Sequence, residues 1–195
     1  MACCKKRLIM ASGSPRRREL LGRFSVPFEV IPARGEESGP EGRSAEEYVR
    51  AMALQKAAEV ADRTGDRSAV IISADTAVEI GGRILGKPRD AEEAEDMLRA
   101  LSGETHRVWT GVCVREGERV DTRCECTEVR FRPLTEEEIR AYAATGEPLD
   151  KAGAYGIQDR ACLFVEGIRG DYFNVMGLPV CLLGRMLRSF GVELL

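Results

Sequence analysis

Short apolar runs alternate along this chain with segments whose apolar residues recur at helical spacing. Residues 8–11 (Leu-Ile-Met-Ala) form a continuous apolar run, which is typical of a buried strand. The small residues 12–14 predict a tight loop, and Ser14 before Pro15 predicts a hydroxyl N-cap with proline at the first helical position. The chain therefore opens with a strand, a tight loop and a helix.

The pattern farther along the chain predicts both helices and hairpins. Further strands are predicted at residues 27–31, 69–74 continuing to 80, 83–85, 105–115, 119–131 and 161–165. Further helices are predicted from Ser44 to about Arg63, from Asp90 to Gly103, from Thr135 to Gly146 and after Pro179, and capping boxes at residues 44–47 and 135–138 open the first and third of these. Strands that alternate with helices but also form hairpins predict an α/β fold with a mixed, twisted sheet and flanking helices.

Composition and charge narrow the classes of protein. The chain has 195 residues, 44% of them hydrophobic, which suits one domain or one domain of two lobes around a cleft. The net charge of −3 argues against a protein built to bind nucleic acid, so basic groups that bind phosphate must be local. No repeat or linker interrupts the sequence, which predicts a single domain over residues 1–195.

Targeting and redox features predict a cytoplasmic protein that does not bind a membrane. The first residues lead directly into a strand pattern, unlike a signal peptide, and no apolar run approaches the ~18 residues that span a bilayer. The seven cysteines are odd in number and lack the spacing of a disulfide framework, which indicates reduced thiols.

The helix predicted at Pro15 carries Arg16, Arg17 and Arg18 in its first turn. Cations at the positive end of a helix dipole are each unfavourable by roughly 0.3–1 kcal/mol, and carboxylates are the usual residues there. A bound anion reverses this argument, because backbone N–H groups, the dipole and bidentate arginines would all face one phosphate. The residues favour a phosphate site over an exposed basic turn.

Asp75 is the most informative acidic residue because it lies within an apolar strand pattern. A buried carboxylate is costly unless it is paired, binds a metal or faces a cleft, so a functional role is favoured over a structural one. Lys87, just past a two-residue hairpin turn predicted at Gly81 and Gly82, is available as a cation. Lys56 lies on the apolar stripe of the second helix, where two interpretations stay open: it snorkels at the core edge, or it reaches an anion.

Two further segments have contrasting interpretations. Residues 150–158 are rich in Gly and Ala, which predicts a shaped loop that a ligand approaches closely. His106 is the only histidine and falls in a strand pattern, so a structural histidine is favoured over a catalytic one.

Motifs distributed over nearly the whole chain, in order and at compatible spacing, are similar to those of a known family. They are residues 12–17 with 19–21, 74–76 with 86–88, 101–103 with 105–106, and 150–158 with 170–172 and 177–179. Together they resemble the Maf family of nucleoside triphosphate pyrophosphatases. The resemblance implies a mixed-sheet α/β fold of two lobes around a cleft, shared with the inosine triphosphate pyrophosphatase (Maf/Ham1) group.

The resemblance also implies a reaction and its residues. A nucleoside triphosphate and water would give the monophosphate and pyrophosphate in the presence of Mg²⁺ or Mn²⁺, with Asp75 as proton acceptor. Glu37, beside Glu36, matches the acidic position near the metal, and Asp75 is the second expected metal ligand. The positions matching the family's contacts to phosphates or base, or its determinants of substrate choice, are Ser12, Arg16, Arg17, Lys56, Thr76, Lys87 and Gln158.

Substrate and assembly follow from the same resemblance. Residues 151–158 (Lys-Ala-Gly-Ala-Tyr-Gly-Ile-Gln) resemble the branch that acts on dTTP and UTP rather than the branch that prefers 7-methyl-GTP. Modified pyrimidine nucleotides are an open alternative, and the family implies a homodimer. The chemistry agrees with the residues, because triphosphate hydrolysis depends on positioning and charge stabilisation rather than on a covalent nucleophile.

Two rival functions are compatible with parts of the sequence. A non-catalytic nucleotide sensor could use the same residues to regulate cell division through a partner, and turnover with metal separates it from an enzyme. An RNA-binding protein could use the arginine cluster, but the acidic net charge and the lack of interleaved aromatic residues count against it.

Overall fold

The computed structural model describes residues 6–35, 39–40 and 42–195. The strands are β1 (Leu8–Met10), β2 (Glu29–Val30), β3 (Val70–Ile80), β4 (Arg83–Leu85), β5 (Thr105–Glu116), β6 (Arg119–Phe131) and β7 (Val165–Arg169). The helices are α1 (Pro15–Gly22), α2 (Ala45–Thr64), α3 (Ala91–Leu101), α4 (Glu136–Ala143), α5 (Tyr172–Val175) and α6 (Val180–Ser189). Short 3-10 turns lie at Glu147–Asp150, Ala152–Ala154 and Arg160–Leu163.

The fold is mixed α/β, as the pattern of hairpins and helices predicts. Strands in the described residues form one sheet in the order β2-β1-β3-β5-β6-β7, and β4 pairs with β3. β1 is parallel to both β2 and β3, with Met10 opposite Val30 and Ile72. β4 is antiparallel to β3, and β7 is antiparallel to β6. The predicted hairpin at Gly81 and Gly82 is present, with φ of 55° and 77°.

Contacts divide the chain into two compact units. The first contains the described residues up to Asp75, with Thr110–Glu125 and Gly177–Leu195. The second contains Thr76–Trp109 and Cys126–Met176. β3, β5 and β6 each contribute residues to both units, so each unit is built on part of the same strands.

α2 supplies the main helical face of the first unit. Its predicted apolar stripe is buried, and Ala53, Ala57 and Val60 pack in a core cluster with Ile9 and Ile71 of the sheet. The helix begins at the predicted capping box, in which the Ser44 Oγ accepts from the Glu47 N–H and the Glu47 carboxylate accepts from the Ser44 N–H. It ends at Gly65, whose φ of 64° is the left-handed geometry of a helix C-cap.

The second unit has an aromatic core. Phe131 contacts His106 and Tyr155 edge to face, with ring centroids 5.0 and 4.8 Å apart. Phe164 extends the cluster to Tyr142 at 5.2 Å. Such offset aromatic pairs contribute about 0.5–1.5 kcal/mol beyond their buried area, so this cluster stabilises the second unit.

One predicted strand is wrong and another is shorter than predicted. Of the predicted strand 161–165, residues 161–163 lie in the 3-10 turn Arg160–Leu163, and β7 begins only at Val165. The Cys162 and Phe164 N–H groups donate to carbonyls three residues earlier, so this segment satisfies its backbone locally rather than in a ladder. The strand predicted over residues 27–31 is reduced to Glu29–Val30, whose side chains are exposed.

No helix in the described ranges is both long enough and apolar enough to cross a membrane.

Gly111 allows β5 to lie directly against α2. A Cβ at this position would overlap the carbonyl oxygen of Val49 and lie 2.8 Å from the backbone nitrogen of Arg50. We therefore expect Gly111→Ala to lower the free energy of unfolding in urea by about 2 kcal/mol or more, because backbone cannot move aside as a side chain can. Gly22→Ala is the control: a Cβ on Gly22 meets nothing within 4 Å, and its stability should be unchanged or slightly higher. Equal stability of the two variants would contradict the close approach.

Candidate functional site

Ser12 and Asp75 lie towards the same edge of the parallel strands in the first unit. Ser12 follows β1, and Asp75 continues β3 beyond Ile72, the last residue of that strand paired with β1. The Ala11 N–H donates to the Ile72 carbonyl at 2.7 Å, which extends the pairing to the start of the Ser12 loop. Carboxyl ends of parallel strands are the usual place for ligand sites in α/β folds.

Ser12 and Arg17 are brought together in the first unit. The Ser12 hydroxyl is buried and accepts from the Arg17 Nη1 at 3.2 Å and from the Ser14 N–H at 3.3 Å. The Arg17 Nε donates to the carbonyl oxygen of Gly177 at 2.7 Å. Arg17 is therefore held at both ends of its guanidinium, and the Gly177 carbonyl is a contact that sequence patterns did not predict.

The start of α1 matches its prediction in position but not in capping. The helix begins at Pro15 with Ser14 as N-cap, yet the Ser14 hydroxyl makes no capping hydrogen bond. The first turn contains no acidic residue. Arg16 is half-buried whereas Arg18 is exposed, so the arginines of this turn have different environments.

Lys56 and Asp75 form an ion pair in the first unit. The Lys56 Nζ donates to the Asp75 Oδ1 at 2.5 Å, and only 17% and 10% of the two side chains are exposed. Two residues earlier on the same face of β3, the Ser73 hydroxyl donates to the Ala53 carbonyl at 2.5 Å. The Lys56 ammonium thus reaches a carboxylate instead of snorkelling to solvent, and it neutralises the buried charge of Asp75.

Gln158 belongs to the second unit and is half-buried. Its Nε2 donates to the Asp159 Oδ2 at 2.6 Å. The same Asp159 oxygen lies 3.7 Å from the Nζ of Lys151, whose ammonium also donates to the Glu147 carbonyl and the Asp150 carboxylate. Lys151 and Asp159 were not singled out from the sequence. The only sequence feature that could have pointed to them is their position: Lys151 lies at the start of the shaped loop, and Asp159 directly follows Gln158.

The loop before Gln158 is anchored to the segment that carries Lys87. The Gly153 N–H donates to the Gly86 carbonyl at 2.9 Å, next to Lys87, whose side chain is exposed. Gly153 has a φ of 68°, and a Cβ there would lie 2.6 Å from Val78. The prediction of a shaped loop at residues 150–158 is thereby confirmed: the segment is neither strand nor regular helix. Thr76 is half-buried in β3.

His106 lies in the aromatic core of the second unit beneath this loop. Its Nε2 is 2.8 Å from the hydroxyl of Tyr155, and its Nδ1 has no hydrogen-bond partner among the described residues. Burial lowers the pKa of His106 to about 4, so the imidazole is neutral near pH 7. Tyr142 also contacts this loop: its hydroxyl accepts from the Gly156 N–H and donates to the Glu147 carboxylate. This environment agrees with the structural interpretation of His106.

Only one of the two expected metal ligands, Asp75, lies among the described residues. Glu37, with Glu36, lies outside the described residues. Over the described ranges, no group of three or more His, Cys, Asp or Glu side chains could by itself hold a metal ion. Magnesium in phosphate-processing sites is commonly held by one or two carboxylates together with substrate phosphates, and a single buried Asp75 fits that arrangement.

The predicted site residues thus fall into separate groups. The structure brings Ser12 to Arg17, and it brings Lys56 to Asp75. It joins Gln158 to the unpredicted Asp159.

Known structures identify the class of fold. The Ham1 protein of Staphylococcus aureus superposes with a TM-score of 0.55 at 15% sequence identity, covering 95% of this chain and 100% of that chain. A HAM1 protein from Coxiella burnetii gives a TM-score of 0.50 at 15% identity, covering 94% and 99% of the two chains. At such identity the likeness concerns the fold alone, and it confirms the predicted Ham1-like mixed α/β architecture.

Sequence comparison identifies the family. A family model described as Maf-like protein matches residues 7–190, and the chain therefore belongs to the Maf family. A dTTP/UTP pyrophosphatase of Bacillus cytotoxicus is 52% identical over 185 residues, covering 95% of this chain and 96% of the relative. One of Aromatoleum aromaticum is 48% identical over 200 residues, covering 96% and 97%. The resemblance drawn from the motifs is confirmed.

The depressed pKa of His106 makes stability sensitive to acid. The unfolded chain binds a proton at His106 near pH 6.5 and the folded chain only near pH 4, so stability is lost as the pH falls through this window. The loss from this group should reach about 3 kcal/mol at pH 4. His106→Gln keeps hydrogen-bonding atoms but cannot titrate. We expect its free energy of unfolding, measured in urea from pH 7 to 4, to fall less steeply with pH than that of the wild type. The same pH dependence in both proteins would show that His106 is not the source of the acid sensitivity.

Proposed function

We propose that this protein is a metal-dependent nucleoside triphosphate pyrophosphatase that hydrolyses dTTP and UTP to the monophosphate and pyrophosphate. The main support for this proposal is sequence identity. Over nearly its full length, the chain is 52% and 48% identical to two relatives named dTTP/UTP pyrophosphatase. The buried Lys56–Asp75 pair supports it, because it places a carboxylate and a cation at the carboxyl edge of parallel strands.

Asp75 is the proposed general base. Its carboxylate would accept a proton from the water that attacks the α-phosphorus. As the new P–O bond forms, the bond from the α-phosphorus to the bridging oxygen breaks, and pyrophosphate leaves with the electron pair. The carboxylate is held by Lys56 at 2.5 Å, so its orientation is set before substrate arrives.

The cations of the first unit are the proposed triphosphate contacts. Arg16 and Arg17 lie in the first turn of α1, where the helix dipole also favours an anion. Arg17 is oriented by Ser12 and by the Gly177 carbonyl, which limits the entropy lost when it binds phosphate. Lys56 is the proposed third cation, since its ammonium already lies beside the reacting carboxylate.

A divalent cation, Mg²⁺ or Mn²⁺, is the proposed cofactor. Bound to phosphate oxygens, it would neutralise charge on the triphosphate. Asp75 and Glu37 are the residues proposed to hold it, with Glu37 assigned from the family resemblance. Asp75 has the hard oxygen donors that such cations require, and the remaining ligands would come from phosphates and water.

Residues of the second unit are proposed substrate contacts on the strength of the family motifs. Thr76 follows the proposed base directly in the chain, and Lys87 offers an exposed cation. Gln158 is the proposed contact to the base, because its amide presents both a donor and an acceptor.

The setting of this activity is also a proposal. The family resemblance supports a homodimer that acts in the cytoplasm without nucleic acid or membrane. The net charge of −3 supports the absence of a nucleic-acid partner.

A product assay tests the reaction and the base together. The protein is incubated with dTTP, UTP, CTP, GTP and 7-methyl-GTP, with and without Mg²⁺ or Mn²⁺, and pyrophosphate is resolved from orthophosphate. We expect metal-dependent pyrophosphate from dTTP and UTP. Asp75→Asn should lower kcat by about 100-fold or more while keeping the fold, because an asparagine still offers an amide oxygen to Lys56.

Each outcome of that assay has a distinct meaning. Release of orthophosphate would move cleavage to the γ-phosphate and overturn the mechanism. Tight nucleotide binding without turnover would favour the sensor over the enzyme. Near-normal kcat in Asp75→Asn, with circular dichroism matching the wild type, would remove Asp75 from the role of base.

Arg16 and Arg18 form a matched pair for testing the phosphate site. Both lie near the start of α1, but Arg16 is half-buried and belongs to the family motif, whereas Arg18 is exposed and lies outside it. Arg16→Ala should lower kcat/KM for dTTP by about 10- to 100-fold, the size expected for a charge-assisted contact to phosphate. Arg18→Ala should change it less than about threefold. Equal effects would indicate only a general electrostatic attraction.

A further inference from the structure

Three polar side chains of the second unit converge on one glycine. A Cβ added to Gly156 would lie 2.6 Å from the Lys151 Cε, 2.7 Å from the Asp159 Oδ2 and 3.0 Å from the Gln158 Nε2. The ends of these side chains therefore share a single small volume beside Gly156, and a side chain at Gly156 would displace them. Within it, the Asp159 oxygen lies between the ammonium of Lys151 at 3.7 Å and the amide of Gln158 at 2.6 Å.

The carboxylate of Asp159 dictates which way the Gln158 amide faces. An ionised carboxylate only accepts hydrogen bonds, so the neighbouring amide must present its Nε2 and not its Oε1. A rotated amide would place two oxygens in contact and lose a charge-assisted hydrogen bond. Lys151 reinforces this arrangement, because its ammonium lies beside the same oxygen and is itself buried, with 8% of its side chain exposed.

The orientation of a glutamine side-chain amide determines which pyrimidine bases it can bind through hydrogen bonds. Uracil and thymine present an N3–H donor beside a carbonyl acceptor, which matches a glutamine whose Oε1 accepts and whose second Nε2–H donates. Cytosine presents an N3 acceptor beside an amino donor, which matches the same glutamine only after a half-turn of its amide. A glutamine that rotates freely therefore accepts both kinds of base, whereas a fixed one discriminates.

We propose that Asp159, supported by Lys151, is a positioning residue that fixes the amide of Gln158 and so makes this protein select uracil and thymine nucleotides over cytosine nucleotides. The inference rests on the proposed function, in which Gln158 contacts the base. It adds a determinant of selectivity that touches no substrate.

The test is the selectivity of Asp159→Asn. An asparagine at this position can rotate to donate to, or accept from, either orientation of the Gln158 amide, so the hydrogen bond is kept and the constraint is removed. We expect the ratio of kcat/KM for dTTP to kcat/KM for dCTP, from pyrophosphate release, to fall by about tenfold or more, with the value for dCTP rising. A purely structural defect would lower both values together and leave the ratio unchanged.

Two further variants sharpen the test. Asp150→Asn removes the other carboxylate that contacts Lys151, at 2.7 Å, and leaves the Gln158–Asp159 hydrogen bond in place, so it should keep the wild-type ratio. Asp159→Ala removes the constraint by a second route and should relax the ratio as Asp159→Asn does. The Asp159 side chain is 40% exposed, so both variants should fold, which thermal unfolding checks.

The outcomes separate this inference from the function on which it rests. No pyrophosphate from the wild type with any nucleotide overturns both. Pyrophosphate from dTTP and dCTP at equal rates in the wild type overturns the inference and leaves the pyrophosphatase reaction standing. A selective wild type with an unchanged ratio in both Asp159 variants also overturns the inference alone.

Discussion

A buried carboxylate must be neutralised, and the first unit is arranged so that this requirement is met at one place. Asp75 and Ser73 share a face of β3 because strand residues alternate, and Lys56 and Ala53 share a face of α2 because helix residues recur every three to four positions. The two periods coincide here, so both β3 side chains find partners on α2. Loss of this register would leave a charge unpaired in the core, which costs about 3–5 kcal/mol.

The arginine turn depends on a different part of the chain. Arg17 donates to the carbonyl of Gly177, which directly precedes the segment leading into α6. Its cation is therefore held by residues near both ends of the chain. Ser12 supplies the other contact to the guanidinium. Arg17 therefore has both of its contacts only when the C-terminal segment that carries Gly177 is folded. A charge cluster that looks local in the sequence is thus a product of the tertiary fold.

Much of the fold was predictable because periodicity and capping are local. The capping boxes at Ser44 and Thr135, the glycine hairpin and the long strands β5 and β6 all match their predictions. The Lys56–Asp75 contact could not be predicted from these local patterns. The apolar stripe of α2 is equally compatible with a lysine that snorkels to solvent, and only the packing of α2 against β3 distinguishes the two. Residues 161–165 have strand composition, but backbone turns satisfied within the segment override it. The orientation of the Gln158 side chain depends on its hydrogen bond to Asp159. Amino-acid composition does not show whether two neighbouring polar side chains bond to each other.

The backbone of the Gln158 loop limits which substitutions this segment can accept over evolutionary time. Gly153 and Ala154 both have left-handed backbone, with φ of 68° and 61°, and a side chain at Gly156 would displace the ends of Lys151, Gln158 and Asp159. Few substitutions at these positions would preserve the shape of the loop. The polar side chains that the loop presents are not subject to this backbone constraint. With Gln158 as the proposed contact to the base, a lineage could acquire a new base preference by altering hydrogen-bond polarity at one or two side chains while keeping the loop intact.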